Sequence, residues 1–587
     1  MGKFLRRASV AGAVGALVVG LAACGSGSGN NAGNGGSTGT PKKGGTITLL
    51  DVPTDYEGTD PASVYYGHQI GEFRRLVYRS LVAFPSDSDP TKSGTPIPDL
   101  ATDTGTTPDG GKTWSFTLKD GIKWEDGKEI TCQDFQYGIS RSFDPTLVNG
   151  TGPGTTYISD LAVPKVKDKD GNEVPDYYGP FQSTPKQQAA FDKAVSCDGK
   201  TITYHFTEAF PDFPQSVAAL LVTDPYRKDL DKGAQNLWKI YSNGPYMIKG
   251  NTWDPKAGAT MVRNPNYDPS TDTPSLREAL PDSFKFELLS NQDTIFQRLV
   301  ADSGTDTTAL SSVNIPSNFY SQLAGPVADR TLKTASPYTR FLQINHIRVT
   351  DEKVRLALTT ALDRASGIKV LGGDNYGTPS TTIVSAATPG YQENAAFKDI
   401  PDSGDPAAAK QLLTDAGKVG YPLKYSYPQS DVNDKVAAVF KQSWEAAGFK
   451  VTLNPIAPDA NPGYYTQMSS KDKDTDVFYA GWASDWPSLL AVIPPILETN
   501  NPGFNYGYYS NKDVDKLIAE GRTAIAAGDQ AKMISDLQQA DEVAGKDAAY
   551  VPFLQQKNYF LFGSKVGGFE PTVATNFYPD LAGIYVK

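Results

Sequence analysis

The chain has 587 residues, 39% hydrophobic and 21% charged, with a mean hydropathy of −0.39, which is enough apolar material for large cores and too polar for a protein of many membrane spans. Its 55 Lys and Arg face 66 Asp and Glu, so the formal charge of −11 offers no overall positive field to nucleic acid or an anionic lipid surface. At roughly 100 to 200 residues per domain the length predicts several lobes, and 55 Gly plus 42 Pro predict many turns between them.

Lys3, Arg6 and Arg7 precede an apolar run from Ala8 to Ala23, 16 residues long. A spanning helix needs about 20 residues, so the pattern is that of a secretory signal. The run ends in Leu21, Ala22, Ala23, Cys24, which resembles the lipobox of bacterial lipoproteins. The resemblance implies cleavage before Cys24, lipidation of that cysteine and retention on the outer face of the cytoplasmic membrane; an ordinary secreted protein is the competing reading. Residues 24–41, mostly Gly, Ser, Asn and Thr, cannot bury apolar area and are expected to form a flexible tether. Loss of residues 1–23 takes three cations with it and lowers the formal charge from −11 to −14. With Cys24 lipidated, Cys132 and Cys197 remain as an even pair in an oxidising exterior, which predicts a disulfide. Two buried thiols are the alternative that sequence alone leaves open.

Thr46 to Leu50 reads as a strand, and Ile70, Phe73, Leu76 and Val77 form one helix face. Trp114, Phe116 and Leu118 alternate, and Asp120 and Gly121 then predict a hairpin turn back into Ile122 to Trp124. From Asp144 to Ala194, Gly, Pro and Tyr recur without a sustained period, predicting a loop-rich region closed by a strand from Thr201 to Phe206. In the second half helices and strands alternate. Asp351 can cap a helix whose face holds Val354, Leu358, Ala361 and Leu362; Asp405 and Pro406 open another with Ala409, Leu412, Leu413 and Ala416, stopped at Gly417. A strand from Tyr421 to Tyr427 follows, then a helix using Val436, Val439, Phe440 and Trp444 that stops at Gly448, then Phe449, Val451 and Leu453 in alternation. Asp513 to Ala544 is helical, and Tyr550 to Leu554 is an apolar strand. The pattern is α/β, and no internal repeat is visible.

Catalytic and metal signatures are sparse. His68, His205 and His346 are far apart in sequence and make no i, i+4 pair of the kind that binds zinc. No nucleophile elbow, P-loop or dinucleotide fingerprint is present. Asp472, Asp474 and Asp476 imitate a calcium loop, but Val477 stands at the turn-glycine position and Ala483 at the bidentate Glu position, so they read as a solvated charge run. Asp168, Asp170 and Glu173 around Gly171 read as a polar turn. Neither an enzyme nor a cofactor is expected.

Several segments together are similar to the extracellular solute-binding proteins of the dipeptide, oligopeptide and nickel class that serve ABC importers. The first block is Pro98, Asp99, Leu100, Ala101, Asp109, Gly110, Lys112, Trp114, Phe116, Leu118, Gly121, Ile122, Trp124, Asp126, Gly127, Asp134, Tyr137 and Arg141. Asn243, Gly244, Pro245, Tyr246 resembles the NGPY turn of the family, and Asn264 to Tyr267 its N-P-x-Y segment. Gln343 to Asn345, Val354, Arg355, Ala357, Leu358, Ala361, Asp363 and Arg364 resemble its VRQALNYAIDR helix. Gly481, Trp482, Asp485, Tyr509, Ser510, Asn511, Asp515, Leu517 and Ile518 complete the series.

The resemblance implies a periplasmic-binding-protein-like type II fold: two hinged α/β lobes with an extra domain inserted in the first and ligand enclosed between them. Mapped onto this chain, lobe one takes residues 42–85, 200–335 and 549–587, the inserted domain 86–199, and lobe two 336–548, with hinge crossings near Pro337 and Tyr550. The implied partners are a short peptide and the importer's permease subunits, with a lipid anchor as the only membrane contact, no nucleic acid, and a monomeric protein. Asp485 keeps the family's spacing after the Gly481–Trp482 pair and is the expected counter-charge for a ligand α-ammonium; a helix cap or surface carboxylate is the competing role. Peptide backbone is expected to pair with Gly481, Trp482 and Ala483 and with the segment Tyr65 to His68, with Tyr66 as an aromatic wall. The clusters Tyr65, Tyr66 and Tyr506, Tyr508, Tyr509 are further wall candidates. Asn243 and Tyr246 either touch ligand or shape a turn at the lobe boundary. A nickel chelate or sugar oligomer in the same fold, a secreted cell-wall peptide hydrolase, and a sensor or adhesive lipoprotein are the alternatives.

Overall fold

The computed structural model describes residues 40–147, 157–167, 173–501 and 503–587. The expected signal, Cys24 and the tether as far as residue 39 lie outside them. In chain order the first elements are β1 (Thr46–Asp51), α1 (Gly67–Leu76), β2 (Thr113–Thr117), α2 (Cys132–Arg141), β3 (Val195–Asp198), β4 (Thr201–His205) and α3 (Phe213–Ala219). Then follow β5 (Tyr246–Ile248), β6 (Thr260–Arg263), β7 (Ser283–Leu288) and β8 (Ala309–Leu310). They build a five-stranded sheet in the order β8-β1-β7-β6-β5, the base of the first lobe, and a three-stranded sheet β2-β4-β3. Side chains from both sheets, among them Phe116, Tyr204, Phe284 and Phe286, belong to one continuous apolar core.

The second lobe is built from β9 (Thr331–Ile344), α4 (Glu352–Ala361), β10 (Gly377–Pro379), α5 (Pro406–Asp415), β11 (Pro422–Pro428), α6 (Asp431–Ala446), β12 (Lys450–Ile456), β13 (Val477–Ala483), α7 (Lys512–Ala526), α8 (Gln530–Lys546) and β14 (Tyr550–Leu561). Its strands form a mixed sheet in the order β10-β14-β9-β13-β11-β12. The helix caps behave as the sequence leads one to expect: the Asp351 carboxylate accepts from the amides of Lys353 and Val354, and that of Asp405 from Ala408. Val354, Leu358, Phe440 and Trp444 go into one core, and the Trp444 indole donates to the Leu358 carbonyl at 3.0 Å. The helical region after residue 511 is two helices, broken at Gly528, whose φ of +82° suits glycine.

β9 and β14 form a long antiparallel ribbon that joins the lobes. Leu561 and Tyr559 pack with Leu50 and Ile295 of the first lobe, whereas Leu554 and Phe553 pack with Leu358 and Phe440 of the second. The register slips between Ala335 and Thr339, where Pro337 lacks a donor for the ladder.

Three readings of the sequence are corrected. Thr113–Thr117 pairs with β4 and not with Ile122–Trp124; the tight turn falls instead at Gly127, φ +86°, and closes Trp124 onto Lys128. The region 144–194 contains a helix, Pro185–Ala194, started by a capping box of Thr184 and Gln187. Asp476 is no solvated charge: it is buried and accepts from Arg348 Nε at 2.7 Å and the Lys424 amide at 2.8 Å. Cys132 and Cys197 form a disulfide with Cα atoms 5.8 Å apart, tying the start of α2 to β3. Among the described residues no helix is long and apolar enough to cross a membrane.

Candidate functional site

β13 sits between β9 on one side and β11 on the other, but its pairing with β11 ends at Phe478. Backbone polar groups of a strand alternate between its two edges. The Asp476 carbonyl accepts from Asn345 on the β9 side, and the Tyr479 carbonyl accepts from the Tyr464 hydroxyl on the other, at 2.7 Å. Gly481 and Ala483 therefore turn their N–H and C=O groups to the side that β11 has left. Among the described residues no strand pairs with that side, so a strand edge two residues wide stands open there, able to take an extended chain.

At the end of this edge the backbone leaves the sheet at Ser484 and carries Asp485 towards the first lobe. The Asp485 carboxylate accepts from the Tyr65 hydroxyl at 3.0 Å and from the Tyr157 hydroxyl. Both donors are neutral, and among the described residues no cation lies within ion-pair distance of it. Burial pushes the carboxyl up to about 7, with the Tyr65 hydroxyl pulling the other way. The next residue, Trp486, is buried and donates its indole N–H to Asp212 at the head of α3, 2.5 Å away; its ring also meets Tyr157 edge-on. Residues 485 and 486 thus carry the contact between β13 and the first lobe.

The other expected residues separate into two groups. Trp482 lies on the opposite face of β13, where its indole donates to the Ala491 carbonyl at 2.8 Å and its ring packs on Phe504. With Phe478, Ile496, Phe504, Tyr506 and Tyr465 it lines an apolar pocket beside the open edge. Asn243 and Tyr246 are not brought to this place. The Asn243 side chain accepts from the Arg79 amide at 2.6 Å and donates to its carbonyl, and the Tyr246 hydroxyl donates to the Pro281 carbonyl at 2.6 Å. Tyr66, the N-cap of α1, is 39% exposed and donates to Glu57, while its neighbour Tyr65 reaches Asp485. Of the later cluster only Tyr506 lines the pocket; Tyr509 donates to Asp547 and Tyr508 to the Ser469 carbonyl. His68 is half-buried between the rings of Tyr56 and Tyr66, and desolvation lowers it to about 4. Tyr157, Asp212 and Arg340 were not legible. Tyr157 lies in the aperiodic region, and an arginine within a strand carries no sequence signal of what it faces.

Many residues that carry the family resemblance hold the fold. Asp99 is buried between Arg79 and Arg277, at 2.8 and 2.6 Å, and although burial alone would raise it, the two guanidinium groups keep it well below the usual carboxylate range. Arg141 takes Asp60 and Asp231 in the same way.

The family model for "Bacterial extracellular solute-binding proteins, family 5 Middle" matches residues 95–504. The chain belongs to this family. Curated family 5 relatives include the periplasmic oligopeptide-binding protein OppA of Salmonella typhimurium, 25% identical with 81% of each chain covered, and the dipeptide-binding protein of Lactococcus lactis, 24% identical over 81% of this chain and 84% of that protein. Among solved structures, clavulanic acid biosynthesis oligopeptide binding protein 2 superposes with a TM-score of 0.78 at 23% identity, covering 93% of this chain and 96% of that one. Haemophilus influenzae OppA in complex with the peptide RPPGFSPFR gives 0.67 at 22% identity, covering 93% and 100%. The fold is thus that of the periplasmic binding proteins of family 5, and members of this family bind solutes.

Proposed function

We propose that the protein captures short peptides between its lobes, as the substrate-binding lipoprotein of an ABC importer, and releases them chemically unchanged to the permease. One observation carries the reading: a half-buried carboxylate, Asp485, held among the described residues by the neutral hydroxyls of Tyr65 and Tyr157 alone, at the end of the open strand edge at Gly481 and Ala483. A peptide N-terminus supplies the missing cation, and the peptide backbone supplies the missing strand. Side chains then meet the pocket beside Trp482 or water, so sequence matters less than backbone and terminus. The names of its relatives, oligopeptide- and dipeptide-binding proteins, support the same class of ligand.

Binding is coupled to closure because the ligand-facing carboxylate already bridges the lobes. A peptide that touches both favours the closed form by the difference of its affinities for the closed and open states. The boundaries given above for the lobes and the inserted domain belong to the same proposal, with the second crossing moved into β14 after Leu554, because Tyr550 to Leu554 pack in the second lobe and Tyr559 and Leu561 in the first; so do the lipid anchor at Cys24 and delivery from the outer face of the cytoplasmic membrane. The test is calorimetry of the full protein with trialanine and with N-acetyl-trialanine, followed by mass analysis of the recovered peptide. Tight binding of the free amine alone, with recovery at unchanged mass, is the expected result. Equal affinity for both forms refutes the role of Asp485, and a cleaved product refutes the binding-protein reading.

A further inference from the structure

Away from Asp485 the first lobe buries two carboxyl groups that no cation meets. Asp51, the last residue of β1, and Glu72, in the middle of α1, are 0% and 1% exposed. The Tyr56 hydroxyl lies 3.0 Å from Asp51 Oδ2 and 2.9 Å from Glu72 Oε2. Ser312 Oγ donates to Glu72 Oε1 at 2.6 Å and Ser311 Oγ to Asp51 Oδ1 at 3.3 Å; both serines follow β8. These donors do not suffice for two carboxylates. A tyrosine has one hydroxyl proton and gives it to one oxygen, so the second oxygen beside Tyr56 Oη makes a bond there by carrying a proton itself.

The charges around the pair agree. Among the described residues no Lys or Arg is within ion-pair distance of either carboxyl, whereas the buried Asp60, Asp99 and Asp580 each have an arginine. Asp55, in the segment between β1 and α1, adds a like charge. His68 of α1 stands edge-on to the Tyr56 ring, is kept neutral by desolvation, and turns Nε2 to the Asp55 carbonyl at 3.1 Å. β7 adds the apolar Phe286 and Leu288, and on the other face of the sheet Arg298 of the helix Gln292–Ala301 is taken by Glu287 and Asp306. Burial first, and neighbouring negative charge second, raise both carboxyls above the ordinary carboxylate range.

Three pieces of chain meet at this point. The segment from β1 to α1 carries Tyr65, whose hydroxyl reaches Asp485, and α1 carries Glu72. The stretch after β8 runs on to Asn314, which accepts from the Tyr559 amide at 2.6 Å and donates to Asn558, both on the ribbon that joins the lobes. We propose that Asp51 and Glu72 hold one proton between them through Tyr56, that this proton clamps the wall of the cleft to the joining ribbon, and that its loss above neutral pH opens the clamp and releases bound peptide. In that step one O–H bond breaks, the proton passes to solvent base, and two anions are left together without a cation. Because the folded values are raised, the pair favours the fold fully below the ordinary carboxylate range and loses that contribution as pH climbs through the raised values. The link to release rests on the peptide reading above; the shared proton does not.

Glu72→Gln and Asp51→Asn each put an amide where a protonated carboxyl stands, and an amide N–H serves Tyr56 Oη as the acid proton did. Infrared difference spectra of the ligand-free protein at pH 7 should show the carbonyl stretch of one protonated carboxyl in wild type and its loss in either variant. Wild type and E72Q should melt alike at pH 6, with wild type lower by about 2 °C or more at pH 9; Asp485, common to both, drops out of the comparison. Trialanine calorimetry over the same range should show wild-type affinity falling about fivefold further than that of E72Q, since the peptide amine titrates alike in both. An infrared band unchanged in both variants, parallel melting curves, or failure of both isosteres to fold at pH 6 overturns the shared proton. Diverging melting curves with parallel affinities overturn the link to release. Absence of trialanine binding by wild type at every pH overturns the peptide reading instead, while the infrared and melting measurements still decide the proton.

Discussion

The position of Asp485 predicts how binding depends on pH. Its carboxyl is raised from the ordinary 3.8 to about 7, chiefly by burial, and must be ionised to hold an ammonium. With that value about half the molecules carry the charge at pH 7 and about one in a hundred at pH 5, so affinity for trialanine should fall about fiftyfold between them. Above about pH 8 the peptide amine itself loses its proton and affinity falls again. Asp485→Asn removes the acid limb and, by leaving an ammonium unpaired in a half-buried site, weakens binding at pH 7 by about 3 kcal/mol, a hundredfold or more. The same group acts on stability with the opposite preference. Its raised value means that it favours the fold fully below 3.8, and that this contribution is lost as pH rises through about 7. The ligand-free D485N protein should therefore melt higher than wild type at pH 8; the ceiling is about 4 kcal/mol, reduced because the carboxyl is partly open to solvent. Titration calorimetry from pH 5 to 9, with scanning calorimetry of both proteins, reads all of this. A flat wild-type profile between pH 5 and 7, or a D485N protein that binds trialanine as tightly as wild type, refutes the reasoning.

Trp486→Phe leaves the buried Asp212 carboxylate without its indole donor, a loss of about 1–3 kcal/mol that falls on the contact between lobes. Peptide affinity should drop and small-angle scattering should show an enlarged radius of gyration; unchanged affinity with a lowered melting temperature would place the contact in the fold alone. Asn243→Ala removes both side-chain bonds to the Arg79 backbone and should cost about 2–4 kcal/mol in denaturant unfolding while peptide affinity stays as it was. Reduction of the Cys132–Cys197 bridge, which spans a sequence separation of 65, should cost about 4 kcal/mol by loop-closure entropy, seen as a lower melting temperature in reductant.

What was legible in the sequence follows from what local physics records. The second lobe was readable because each helix has a polar cap, a period and a stop, as in Asp351, the face of Val354 and Leu358, and Gly448 after Trp444. The edge of β13 is different, because a strand's alternation says nothing of where its neighbour ends; the loss of pairing after Phe478 is a property of β11 and of the chain that follows it. Asp485 is singled out by its spacing from Trp482, yet Trp482 itself turns to the far face. Tyr65 and Tyr66 point apart where the chain enters α1, and sequence gives no means to choose between adjacent tyrosines. The Ile122–Trp124 hairpin failed because β4, some 80 residues later in sequence, offers Thr113–Thr117 a longer ladder than its neighbour could. Asn243, Tyr246, Asp99 and Arg141 carry a family signature because their buried bonds are demanding, and that demand is independent of any ligand.

The most direct measurement is a crystal structure of the protein grown with trialanine. The account predicts the peptide ammonium on the Asp485 carboxylate and peptide backbone groups paired with Gly481 and Ala483, the chain enclosed between the two sheets. A peptide lodged away from β13, or one whose amine faces solvent, would contradict it.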